Sequence, residues 1–114
     1  MPFIRESIVT TVSEDGTAHV APLGVIEEDT RLVVAPFAPS TTLANLRRRP
    51  FACVSYTVDP RIFAGCVTGK RRDWPVVPAE TMPGFRLAAA LAHSEREVVE
   101  VVEDELRPRF RCRE

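Results

Sequence analysis

The chain has 114 residues, 45% of them apolar and 27% charged, which is the usage of one ordinary globular domain and excludes both a disordered tail and a second domain of usual size. No apolar run approaches the roughly 20 residues that a membrane-crossing helix needs, and the opening Met-Pro-Phe-Ile-Arg-Glu lacks the basic-then-apolar pattern of a secretory leader, so a cytoplasmic protein with no membrane partner is expected. Fifteen basic against sixteen acidic residues leave a net charge of −1, and no global field draws such a chain to nucleic acid.

Ten prolines against five glycines favour many short, bounded elements over long helices. Glu6 to Val12 is rich in β-branched residues and stops at Ser13-Glu14-Asp15-Gly16, whose Asp-Gly pair predicts a hairpin. Thr17 to Glu27 is the return strand. Its apolar residues fall on both faces, with Ala18, Val20, Pro22 and Ile26 on one side and Ala21, Leu23 and Val25 on the other, which predicts cover on both sides. Pro22 has no ladder donor and Gly24 weakens a strand, so Ala21-Pro22-Leu23-Gly24 suggests a bulge, an edge, or backbone approached by a ligand.

Arg31 to Phe37 reads as a third strand, completing a meander, and Pro36 to Pro39 stops it. Ser40 to Pro50 is a short helix: Ser40 or Thr41 caps it, Leu43 and Leu46 share a face, and three arginines suit its negative end before Pro50 closes it. Phe51 to Thr57 is a fourth strand, and the apolar stretch Arg61 to Val67 can form a helix. Lys70 to Gly84 holds three prolines, a Lys-Arg-Arg cluster and the only tryptophan, and is long enough to be a functional lid or a mobile loop. Phe85 to Ala92 reads as a strand. In His93 to Leu106, Ser94-x-x-Glu97 resembles a helix capping box, yet the β-branched run after it favours a hairpin turning near Glu103-Asp104-Glu105. Arg107 to Arg113 then returns, its alternating arginines suiting a solvent-facing edge.

Cys53, Cys66 and Cys112 are too widely spaced for a zinc knuckle or a redox pair and read as buried small hydrophobes. His19 and His93 have no second ligand at a metal-like spacing, so no metal is expected. No nucleophile triad, carboxylate pair or phosphate-loop glycine pattern is present, and catalytic residues cannot be assigned. The strongest local signal is Ser40-Thr41-Thr42, where helix N–H groups and hydroxyls converge on a position suited to a phosphate monoester, or simply cap the helix. Asn45 lies one turn later. Thr10 and Thr11 face His19 across the first hairpin and offer hydrogen bonds to a flat heterocycle, or serve as ordinary strand residues. Arg47-Arg48-Arg49 and Lys70-Arg71-Arg72 read as solvated surface charge, with contact to a phosphodiester backbone as the alternative.

Taken together, Glu6-Ser7-Ile8-Val9-Thr10-Thr11, His19-Val20-Ala21-Pro22-Leu23-Gly24-Val25, Ser40-Thr41-Thr42-Leu43-Ala44-Asn45-Leu46 and Val54-Ser55-Tyr56-Thr57-Val58-Asp59-Pro60-Arg61-Ile62-Phe63 resemble the flavin reductase-like FMN-binding split-barrel proteins, and above all the branch called the DUF447 family. The resemblance spans residues 6 to about 67 and continues more weakly after Phe85. It implies a mainly β fold with short helices, a six-stranded antiparallel split barrel that forms a homodimer with FMN between subunits. Position by position, it implies that Ser40, Thr41 and Thr42 hold the phosphate and that Asn45 supports them. Thr10, Thr11 and the strand from His19 to Gly24 would approach the ribityl chain and ring, with the backbone at Ala21, Pro22 and Gly24 closest. It further implies a flavin-dependent oxidoreductase using NAD(P)H or another small redox partner. Residues 1–114 are read as a single domain without the helical C-terminal part usual in that branch. The alternatives are a non-catalytic flavin carrier or sensor and a nucleic-acid-binding β-barrel. A single Trp and a single Tyr speak against the latter's stacking platform.

Overall fold

The computed structural model describes residues 3–28, 30–56, 60–68, 74–90 and 92–114. Strands β1 (Phe3–Val12) and β2 (Ala18–Glu28) form the first hairpin, followed by β3 (Arg31–Val34), helix α1 (Thr41–Arg48), β4 (Phe51–Tyr56), helix α2 (Pro60–Thr68), the short strands β5 (Val76–Pro78) and β6 (Phe85–Leu87), and finally β7 (Ala92–Val102) and β8 (Arg109–Arg113). Six of these close into an antiparallel barrel in the order β1-β2-β3-β8-β7-β4, while β5 and β6 pair as a separate ribbon.

The first turn is built as its sequence suggests. Ser13 N–H donates to Thr17 O at 2.7 Å and Gly16 N–H donates to Ser13 O at 2.9 Å. Gly16 sits at φ 88°, where a residue without Cβ avoids a steric penalty. The Asp15 carboxylate accepts from Thr17 N–H at 3.1 Å and from its hydroxyl at 2.6 Å.

The barrel interior is filled by Val9, Val25, Leu32, Val34, Ala52, Val54, Phe110 and Cys112, and α1 adds Leu43 and Leu46 to this core. A second cluster lies on the opposite face of β1 and β2, where Ile8 and Val20 pack with Ile62 and Cys66 of α2 and Leu87 of β6. This explains the two-faced apolar character of β2: one face looks into the barrel and the other is covered by α2 and the ribbon. The cover is incomplete in the middle, since Ala21 to Gly24 are only half-buried.

Several boundaries differ from the sequence expectation. The third strand ends at Val34 instead of Phe37, because the Ala35 carbonyl accepts from Arg107 Nε at 2.6 Å and Ala38 N–H donates to Leu106 O at 2.7 Å. Those bonds lead the chain out of the ladder before the two prolines. The expected loop from Lys70 to Gly84 contains β5, and 69–73 lie outside the described residues. The expected strand Phe85 to Ala92 is two elements, β6 and the start of β7, separated by a turn at Ala88-Ala89. The segment from His93 agrees with the favoured expectation: it is a strand hairpinned to β8, with an irregularity between Val98 and Glu100. Thr57, read as the end of the fourth strand, lies outside the described residues.

The alternating arginines of β8 mark a solvent-facing side, not an edge, because β8 is hydrogen-bonded to β3 on one flank and β7 on the other. Phe110 and Cys112 point inward, while Arg111 meets Glu100 at 3.3 Å and Arg113 meets Glu97 at 2.7 Å. The three cysteines are buried thiols outside any disulfide, as expected. Burial pushes the Cys53 and Cys112 thiols up to about 12, which leaves them protonated and chemically inert at neutral pH. No helix among the described residues is long and apolar enough to cross a membrane.

Candidate functional site

The N-terminus of α1 opens onto a cavity of about 780 Å³ between the helix and the β1–β2 turn. Ser40 is the cap: its backbone is extended and its hydroxyl accepts from Leu43 N–H at 3.2 Å. Thr41 and Thr42 therefore occupy the first turn, where backbone N–H groups have no acceptor within the helix. Thr41 is exposed and lines the cavity, whereas Thr42 is buried.

Asn45 joins the helix to the barrel. It is 2% exposed, and its Nδ2 donates to Thr11 Oγ1 at 2.9 Å and to Ser13 Oγ at 3.5 Å. Its Oδ1 accepts from Arg48 at 3.2 Å, which directs that guanidinium towards the cavity it lines. The neighbouring Arg49 donates to Ser13 O at 3.0 Å, and Arg47 is drawn away to Glu103 at 2.8 Å. Of the three consecutive arginines, only Arg48 lines the cavity.

The structure thus brings Thr11, Ser40, Thr41 and Asn45 together, with Thr42 in the same helical turn. His19 is the cross-strand partner of Thr11 and is half-buried beside it. Ala21, Pro22 and Gly24 pair with Val9, Ile8 and Glu6 and so run away from the helix along β2. From His19 to Gly24 this is five residue steps, roughly 17 Å at about 3.3 Å each. Thr10 is placed elsewhere. Adjacent strand residues point to opposite faces, so Thr10 lies beside Cys53 and Val20 with Oγ1 buried and without a hydrogen-bond partner.

The β2 strand also has an open flank. Its ladder with β3 covers only Val25 to Glu28, so among the described residues Ala18 to Gly24 pair with β1 alone. Pro22, which lacks a backbone donor, is tolerated on such an edge. A Cβ at Gly24 would meet Ile4 Cγ2 at 3.3 Å, and Ile4 is 65% exposed.

A second cavity of about 660 Å³ lies between β7 and the 80–82 segment. There Glu80, His93 and Glu95 place ligand-capable atoms within 4.8 Å of one another. The sequence did not suggest this group, because Glu80 reaches His93 and Glu95 only through the fold, from the loop between β5 and β6. The Glu95 carboxylate is already occupied: it accepts from Glu80 N–H at 2.7 Å, Thr81 N–H at 2.6 Å, Thr81 Oγ1 at 2.8 Å and His93 Nε2 at 3.1 Å. Burial alone would raise its pKa, yet these four bonds overcome that cost and hold it at about 2. Glu95 is thus a clamp that fixes the 80–81 turn to β7.

A family model described as the N-terminal domain of a protein of unknown function, DUF447, matches residues 5–114. The chain belongs to the DUF447 family. No curated protein sequence matches it. Among solved structures, this DUF447 domain is similar to the 2-nitrobenzoate 2-nitroreductase of Pseudomonas fluorescens, with a TM-score of 0.78 and 20% identity over 98% of this chain and 61% of that one. It is similar to an FMN-bound DUF447 protein from Methanosarcina mazei, with a TM-score of 0.79 and 21% identity over 96% and 56%. The flavin reductase of the styrene monooxygenase from Pseudomonas putida gives 0.73 and 20% identity over 95% and 76%. These likenesses establish the FMN-binding split-barrel fold. The chain spans less than two thirds of the length of the first two.

Proposed function

We propose that this DUF447 domain binds FMN and acts as a flavin-dependent oxidoreductase of the flavin reductase-like type. The observation that carries the reading is one continuous path: a hydroxyl-lined helix N-terminus with Arg48 beside it, then the Thr11–His19 pair, then the open flank of β2 at Ala21 to Gly24. A phosphate monoester suits the first part, since free N–H groups, the positive helix end and one guanidinium all favour an anion. A polyhydroxylated chain suits the second. A flat ring with hydrogen-bonding edges suits an open strand flank that is only half-buried.

In this reading Ser40, Thr41 and Thr42 hold the phosphate, and Asn45 keeps their helix in register with Thr11. His19, Ala21, Pro22 and Gly24 approach the ribityl chain and ring. Thr10, whose hydroxyl is buried on the opposite face of the sheet beside Val20 and Cys53, lies off this path. The bound flavin would supply the redox chemistry, while the chain's own residues bind, orient and set the polarity around it. NAD(P)H or another small redox partner is the proposed electron donor. Two copies of the chain would enclose the cofactor, a reading supported by the exposed Ile4, Phe37 and Leu106, which are large apolar side chains on a small domain.

The absorption spectrum of the purified protein tests the proposal directly. A flavin spectrum, native or after incubation with FMN and desalting, is expected; protein that stays colourless would refute it. Ser40→Ala combined with Thr42→Ala should weaken FMN at least tenfold while changing riboflavin affinity little, because only FMN carries the phosphate. Equal loss for both flavins would place the phosphate elsewhere. Anaerobic mixing with NADH or NADPH then separates a reductase, whose flavin bleaches, from a carrier or sensor, whose flavin does not.

A further inference from the structure

The rim of the α1 cavity carries charge of both signs, so the attraction of the helix N-terminus for an anion is tempered by acidic side chains. Among the described residues Arg48 is the one cation lining it, while Glu14 and Asp15 line it from the β1–β2 turn. Asp15 is tied into its own turn by Thr17. Glu14 is not built in: its side chain is 88% exposed and its Oε2 stands 3.9 Å from Arg48 Nη2. Arg48 in turn is held from behind, by Asn45 Oδ1 at 3.2 Å, so its position does not depend on Glu14.

We infer that Glu14 competes with the ligand's phosphate for Arg48, making it the residue that sets how strongly this site prefers a phosphorylated flavin over an unphosphorylated one. The inference rests on the FMN reading for the identity of the ligand, but the competition itself concerns any phosphate at the start of α1. When the site is empty, the carboxylate partly neutralises the guanidinium. An arriving phosphate must displace it, and the displaced carboxylate then lies within a Debye length of the phosphate and repels it. The pair is solvent-exposed, so the effect is modest and screened by salt.

Four proteins decide the matter: the wild type, Glu14→Gln, Arg48→Gln and the double variant, each titrated with FMN and with riboflavin by flavin fluorescence at low and physiological salt. Glu14→Gln should bind FMN roughly two- to fivefold more tightly with riboflavin unchanged, and the gain should shrink in the Arg48→Gln background and at higher salt. A gain of the same size without Arg48 would overturn the competition, as would no gain or an equal gain for riboflavin. If no flavin binds to any of the four, the FMN reading has failed by itself. Inorganic phosphate, followed through the amide NMR signals of Thr41 and Thr42, then tests the inference. Tighter phosphate binding in Glu14→Gln that depends on Arg48 upholds it. The absence of any phosphate-induced shift in wild type and variant overturns it.

Discussion

Glu95 shows how one side chain can be saturated by its surroundings to the point where its chemistry is spent. Its carboxylate accepts four hydrogen bonds, two of them from backbone N–H groups of Glu80 and Thr81. Because its folded pKa of about 2 lies below the ordinary 4.5, the clamp is fully formed above the unfolded value and is lost as pH falls through the folded one. Glu95→Gln keeps the shape but loses the charge, so it should cost about 1.5–3 kcal/mol at pH 7, the scale of hydrogen bonds to a charged group. Urea denaturation at a series of pH values is the check: the gap between variant and wild type should close between pH 4.5 and 2. A gap that persists unchanged at pH 2 would show that the carboxylate's charge is not what holds the turn. Thr10 and Thr11 give the complementary lesson. They look equivalent in sequence, yet strand alternation sends Thr11 to Asn45 and Thr10 to the opposite face, where its hydroxyl has no partner.

Elements whose ends are marked locally were legible in the sequence. Asp15-Gly16 fixes the first turn, and Ser40 and Pro50 bracket α1, because a turn type, a cap and a prolyl restriction act within a few residues. Elements decided by tertiary cover were not legible in the same way. β5 and β6 are three residues each and exist because Leu87 is fully buried against the outer face of the barrel. β7 is the mixed case: its β-branched run pointed to the strand, while the competing capping-box pattern loses outright only through pairing with β4 on one side and β8 on the other. The β2 strand lies between these cases. Its awkward Pro22 and Gly24 signalled an irregularity, and the structure resolves it as a flank left open where β3 ends early. Gly24 therefore serves as a test of whether the awkwardness is structural or functional. A Cβ there meets only the exposed Ile4 and the tip of Glu6, so Gly24→Ala should leave stability within about 0.5 kcal/mol. FMN affinity should nevertheless fall several-fold, if the ring lies against this backbone. An unchanged affinity would move the ring away from Gly24.

At the scale of the whole molecule, closure separates what is stable from what is available. β1 pairs with β4 to complete the barrel, and among the described residues β2 keeps a flank without a strand partner along Ala18 to Gly24, beside the mouth of the α1 cavity. A ligand that fills this gap binds the folded state and not the unfolded chain, and linkage then raises stability by about 2.7 kcal/mol at a concentration 100 times Kd. For a domain of this size that corresponds to a rise in Tm of about 10 °C. FMN should produce this rise, and riboflavin a smaller one at the same concentration. Hydrogen exchange should locate the effect, with slowed amides at Thr41 and Thr42 and along β2 from His19 to Gly24, while the β7–β8 hairpin on the far side changes only through global stabilisation. Protection confined to the β7–β8 side, or a rise in Tm with no local protection at α1 and β2, would show that the flavin binds a different surface. Protein concentration adds a further discriminator. If two copies enclose the cofactor, Tm rises with protein concentration, because association then contributes to the folded state.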